Sequence, residues 1–137
     1  TGKNLKNFHI PKINLSQATL LQADLSETNL DGSNLSNANL EDTKLHYIHT
    51  HKAQFQGANL SKANLSNANL VERSFRELNS MEHISVSLYV KVNFQNADLF
   101  QADFTTVQAL TIEQVKSAQN CGQALYDEDF AKKLDLK

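Results

Sequence analysis

The chain has 137 residues, with 13 Lys plus Arg against 15 Asp plus Glu and a formal net charge of −2. That length suits one domain with an ordinary core, and the balanced charge excludes the strongly basic field that a nucleic-acid-binding surface needs. The single cysteine, Cys121, excludes an internal disulfide and a cysteine-based zinc site. No apolar run approaches a membrane span. The expectation is a soluble protein with no membrane partner, no nucleic-acid partner and no cofactor. The chain opens Thr1-Gly2-Lys3 without an initiator Met, which suggests an upstream segment that was removed or never cloned and leaves room for a signal peptide within it. Both a cytoplasmic and an exported location remain open.

From the N terminus, large apolar residues recur at every fifth position. Leu5, Ile10, Leu15, Leu20, Leu25, Leu30, Leu35, Leu40 and Leu45 run without a gap, and after Thr50 the series continues through Phe55, Leu60, Leu65, Leu70 and Phe75. Two places before most of them stands a small residue, as in Ala18, Ala23, Thr28, Ser33, Ala38, Thr43, Ala53, Ala58, Ala63 and Ala68. A period of five spirals around a helix and alternates across a strand, so neither element gathers these side chains on one face. They come together if each pentapeptide makes one side of a square and four close a coil. The large residue and the small one then fill the interior, and the intervening Asn or Asp and the next two residues face water. Asn and Asp suit such a chain because they tolerate turns and bond their own backbone.

The recurring A-[DN]-L-x-x pattern resembles the pentapeptide-repeat family over roughly residues 3–77 and 92–106. The resemblance implies an all-β solenoid, a right-handed quadrilateral β-helix of about five coils, in a single domain spanning 1–137. Regular coils are expected at about 3–76. The period then breaks, because Phe75 and the next central residue, Phe94, are nineteen apart where register requires twenty. Arg73 falls at an inward position, and Ile84 and Tyr89 are offered as substitutes in the shifted register. Residues 77–91 are expected to form an irregular coil or a protruding loop. Glu82, His83, Tyr89 and Lys91 are its candidate partner contacts, since loops on a rigid scaffold carry function.

Regular repeats resume at about 92–108 with Ala97-Asp98-Leu99 and Ala102-Asp103-Phe104. A short α-helical cap is expected at about 111–135. Its first helix opens on a capping box, Thr111 with Gln114, presents Ile112, Val115 and Ala118 on one face, and stops at Asn120-Cys121-Gly122. A second helix fits 127–134. An open solenoid end exposes backbone and apolar side chains, so a terminal cap is physically expected. The segment also resembles the helical tail of bacterial family members, with its LT-x-EQ stretch followed by A-x-Y-D-x-x-F at 124–130. The chain is therefore expected to be a monomer or a weak dimer through this tail.

Four repeats to a coil place residues twenty apart directly over one another. Lys44 then lies over Asp24, Lys62 over Asp42 and Glu72 over Lys52. The stretch HYIHTH at 46–51 turns Ile48 and Thr50 inward and His46, His49 and His51 outward. His49, His51 and Asp31, one coil below, form a weak metal candidate. Two exposed histidines and one carboxylate fall short of the converging, oriented donors that zinc requires, so no metal site is expected. No phosphate loop, nucleophile elbow or Cys-His pairing is present, and the expected protein is not an enzyme. The reading is a non-enzymatic protein-interaction or scaffold module with an unknown protein partner. The alternative that the resemblance brings is a DNA-mimic protein binding a topoisomerase such as gyrase, disfavoured by the balanced charge.

Overall fold

A computed structural model of the protein describes residues 2–70 and 92–135. The expectations for Glu72, Arg73, Phe75, Ile84 and the candidate contacts Glu82, His83, Tyr89 and Lys91 lie outside the described residues.

The period of five is realised as one short extended segment and one tight turn per repeat. Within the turn, the carbonyl of a central residue accepts the amide three places on, as in Ala23 N–H to Leu20 O at 2.9 Å and Ala38 N–H to Leu35 O at 3.1 Å. The second turn residue has positive φ, as in type II turns: Asn7 at 64°, Lys12 at 59°, Gln17 at 62° and Gln22 at 58° begin the series. Each turn is a corner. Asn or Asp before the central residue secures it by accepting the amide two places on, for example Ser36 N–H to Asn34 Oδ1 at 3.0 Å and Ser61 N–H to Asn59 Oδ1 at 3.0 Å.

Successive coils pair by parallel bridges between residues twenty apart, and the bridges fall into four columns. The first side carries Asn4, Asp24, Lys44, Asn64 and Asp103; the second His9, Asn29, His49, Asn69 and Gln108. The third carries Asn14, Asn34, Gln54 and Asn93; the fourth Thr19, Asn39, Asn59 and Asp98. Each level donates and accepts, so Leu25 N–H reaches Lys44 O at 2.9 Å while Asp24 N–H reaches Lys3 O at 2.8 Å. The expected inward pair is buried throughout the middle coils, where Leu25, Leu30, Leu35, Leu40, Leu45, Phe55, Leu60 and Leu65 are fully buried with their small partners. Hydroxyls at the small position donate to a carbonyl one coil below, as in Thr28 Oγ1 to Leu5 O at 2.9 Å and Thr43 Oγ1 to Leu20 O at 3.1 Å. Ile48 and Thr50 are both fully buried, the exchanged volumes keeping the coil filled. Thr50 Oγ1 has no hydrogen-bond partner among the described residues.

Past Asn69 the ladder changes step. Gln54 pairs with Asn93, Asn59 with Asp98, Asn64 with Asp103 and Asn69 with Gln108. Each step is 39 residues, and 39 − 20 = 19, so nineteen residues enter between the second and third sides while Phe94 stands directly on Phe55, ring centroids 5.6 Å apart. An aromatic column continues from there through Phe104, Tyr126 and Phe130, with neighbouring centroids 5.2–5.8 Å apart.

The C-terminal part contains two short helices, α1 at Ile112–Lys116 and α2 at Glu128–Lys133, with a single 3-10 turn at Cys121–Gln123 between them. The capping box of Thr111 and Gln114 is formed in both directions. α1 ends at Lys116, before the anticipated Asn-Cys-Gly stop. The backbone beyond it is taken by the stack: Asn96 N–H donates to Ser117 O at 2.9 Å, and Gln119 bridges Asp98. Gln114, buried, donates from Nε2 to Val92 O at 2.8 Å, which holds α1 over the third side. Leu125 extends the first column by bridging Asp103.

Candidate interaction surface

The four-sided coil decides what each outward residue can meet. His49 stands on the second side in the column of His9 and Asn29, and His51 at the following corner. Asp31 does lie beneath His51, but its Oδ1 accepts the His51 backbone N–H at 2.9 Å. The carboxylate is thereby used as a rung of the ladder. His51 Nδ1 is buried without a hydrogen-bond partner among the described residues. Among those residues no three His, Cys, Asp or Glu side chains are grouped to hold a metal, so His49, His51 and Asp31 are not assembled into a centre.

His46 is the most constrained of the three histidines. Ser26, fully buried, donates its hydroxyl to Asp24 Oδ1 at 2.6 Å, and His46 Nδ1 lies 3.1 Å from the same hydroxyl oxygen. With the Ser26 proton committed to Asp24, His46 is the donor in that contact. Asp24 is held below the usual carboxylate range by the Ser26 side chain and backbone amide, against the opposing effect of burial, with smaller help from Lys44 and His46. Lys44 lies 3.9 Å from Asp24, as the twenty-residue rule requires, and Lys6 pairs with Glu27 at 3.1 Å. Asp42 instead accepts Gln22 Nε2 at 3.3 Å, and Lys62 forms no ion pair with it among the described residues. These exposed pairs contribute ~0–1 kcal/mol each.

Next to His46 stands Tyr47, a residue the histidine pattern concealed. It occupies the left-handed turn position, φ 59°, where Asn7, Glu27, Asn67 and Thr106 stand in the same column. The residue is 55% exposed and its ring packs edge-on against His46 with centroids 5.7 Å apart. Its backbone is tied upward by Tyr47 N–H to Ser66 O at 3.2 Å. Phe8, 53% exposed, adjoins the same corner in the first coil. An aromatic at an outward turn position was the signal available in the sequence.

Charge is banded along the axis. Residues 3–23 carry Lys3, Lys6 and Lys12 and no acid; 24–43 carry Asp24, Glu27, Asp31, Glu41 and Asp42 and no base; 44–63 carry Lys44, Lys52 and Lys62 and no acid. Each coil therefore lies against one of opposite sign. No helix among the described residues is long and apolar enough to cross a membrane.

Comparison with known proteins agrees with this geometry. Residues 12–46 and 51–78 match the family description "Pentapeptide repeats" in eight copies. No curated protein sequence matches the chain significantly. Two trypsin-treated variants of QnrB1, described as a plasmid-mediated fluoroquinolone resistance protein, superpose over 96% of this chain with TM-scores of 0.54. Their identities are 18% and 20%, and the matches cover 63% and 58% of those chains. HetL, a pentapeptide repeat protein involved in heterocyst differentiation regulation from the cyanobacterium Nostoc sp. strain PCC 7120, is 24% identical over 77% of this chain and 38% of its own, with a TM-score of 0.42. The chain thus spans less than two thirds of each of these proteins. Residues 12–46 and 51–78 thus carry eight copies of the pentapeptide repeat, and the four-column coil has the right-handed quadrilateral β-helix fold of the solved pentapeptide-repeat structures it superposes on.

Proposed function

We propose that the protein is a rigid, non-enzymatic protein-binding module whose contact ridge is the corner carrying His46 and Tyr47. The exposed Tyr47 ring carries this reading. A half-exposed aromatic on a backbone bonded to the coil above, with its neighbour His46 oriented by Ser26, offers contact area without an ordering cost. The interior supports the same view, since its central positions are filled by Leu and Phe and the outer sides are what remains to present.

The C-terminal helices are read as a cap. They close the apolar end through Val115, Leu134 and the Tyr126 and Phe130 rings, and burial pushes the Tyr126 phenol well above its ordinary range. Self-association through this tail would be weak and secondary. Glu82, His83, Tyr89 and Lys91 are kept as a second candidate contact element in addition to the ridge.

The similarity in fold to a fluoroquinolone resistance protein brings a rival, a DNA mimic acting on gyrase. Alternating basic and acidic coils interrupt the continuous acidic stripe such mimicry needs. Affinity capture from the native source with the wild type, Tyr47→Ala and a variant lacking 73–91 tests the main reading. Loss of one specific partner with Tyr47→Ala supports the ridge, whereas a partner lost only in the deletion moves the contact to that segment. Inhibition of gyrase supercoiling by the wild type would favour the rival.

A further inference from the structure

The corner diagonally opposite Tyr47, between the third and fourth sides, differs from every other part of the rod. Lys6, Asp24, Glu27, Lys44 and Asp103 lie on the first side and the corner after it, Lys12, Asp31 and Lys52 on the second, and Glu41, Asp42, Lys62 and Asp98 on the fourth. On the third side and the corner that follows it, 14–17, 34–37, 54–57 and 93–96, every outward residue is Asn, Gln, Ser or Gly. Among the described residues the side is also bare of outward aromatic and aliphatic groups.

Its amides are pre-oriented. Asn14, Asn34 and Asn93 each spend Oδ1 on the backbone amide two residues on, at 3.0, 3.0 and 2.9 Å. Their Nδ2 donors have no partner among the described residues. Gln17, Gln56 and Gln95, all exposed, likewise keep both side-chain polar atoms unpaired among those residues. The result is a flat array of neutral donors and acceptors repeating at about 4.8 Å along the axis.

We propose that this side binds a neutral, hydroxyl-rich polymer, a neutral polysaccharide lying along the rod. Four levels about 4.8 Å apart and one pentapeptide wide give roughly 300 Å². A stable protein dimer needs about 800 Å² per partner, and protein contacts depend on aromatic or Arg anchors that this side lacks. An anionic or cationic polymer finds no countercharge here. Vicinal hydroxyls, by contrast, take paired donors and acceptors of the amide kind, and a repeating ligand matches a repeating array. This surface is separate from the His46–Tyr47 ridge and stands or falls without it.

Affinity electrophoresis of the whole chain through gels holding dextran, soluble starch or a neutral β-glucan, with heparin as the charged contrast, tests it. The expected result is retardation by at least one neutral polymer and none by heparin. Gln56→Lys combined with Gln95→Lys should weaken that retardation about tenfold or more, as the loss of two hydrogen-bonding positions implies. Gln22→Lys, an exposed change on another side, should leave it intact, and unchanged urea midpoints confirm that all variants are folded. Passage of the wild type unretarded through all three neutral gels overturns the proposal. Retardation insensitive to the double substitution, or greater with heparin, overturns it as well.

Discussion

Residues 20–70 and 92–135 share one hydrogen-bonded ladder and solve opposite problems. In the first region every coil has a coil above and below, so one large and one small residue per side fill the interior, mostly Leu with Ala, Ser or Thr. In the second the ladder runs out. Phe94, Phe104, Tyr126 and Phe130 take over the axis, and α1 and α2 replace the next coil. The difference teaches that a solenoid is nearly indifferent to sequence in its middle and specific at its end, because only the end must satisfy backbone and apolar surface without a neighbour.

The sharpest way to break the comparison is to remove its junction. Phe94→Ala, at a fully buried position in contact with Phe55 and Phe104, should cost about 3–5 kcal/mol, and hydrogen exchange should show 92–135 opening separately from 20–70. Leu45→Ala, equally buried in the middle, should cost about 2–5 kcal/mol and lower both regions together. Equal behaviour of the two variants by exchange would remove the distinction.

Register is the next test. Deleting the nineteen residues 73–91 joins Leu70-Val71-Glu72 to Val92-Asn93-Phe94, which restores a spacing of five between central residues. The urea midpoint of 92–135 should stay near that of the wild type. Deleting the twenty residues 72–91 leaves a spacing of four and should cost 92–135 its cooperative unfolding. A twenty-residue deletion as stable as the nineteen-residue one would contradict the 39-residue ladder.

Smaller effects sharpen the middle coils. Thr50→Val replaces a buried hydroxyl that has no partner among the described residues, and should raise stability by about 1 kcal/mol in urea titration. Acid should weaken the stack through carboxylates whose folded-state pKa is depressed. Burial of Asp98 opposes the shift, but bonds from Asn120, Phe100 and Ser61 outweigh it, while Ser26 leads for Asp24. Their contribution is present above the ordinary value of 3.8 and is lost as pH falls below it through the depressed folded value. Asp24→Asn, which keeps the residue type found at many equivalent positions, should flatten that acid limb measured by thermal unfolding between pH 5 and 2.

Much of this could be read in advance, and the reason is local. Leu25, Leu30 and Leu35 announce the interior because a period of five admits few other architectures, and Thr111 with Gln114 announces a helix start because the capping box closes within four residues. The site was less legible. Tyr47 hid behind its histidine neighbours, and the sequence could place Asp31 beneath His51 without telling that its carboxylate accepts the His51 amide.

The sequence by itself therefore determined the coil, its inward residues and the column in which each outward side chain stands, since all follow from one repeated local geometry. Tertiary structure alone decided three things: that nineteen added residues separate Asn69 from Asn93 and set Asn93 on Gln54, the early end of α1 at Lys116, and the extension of the uncharged side by 93–96. Each of these depends on which coil lies against which, and pairing between distant levels is a competition that the residues of one level cannot settle.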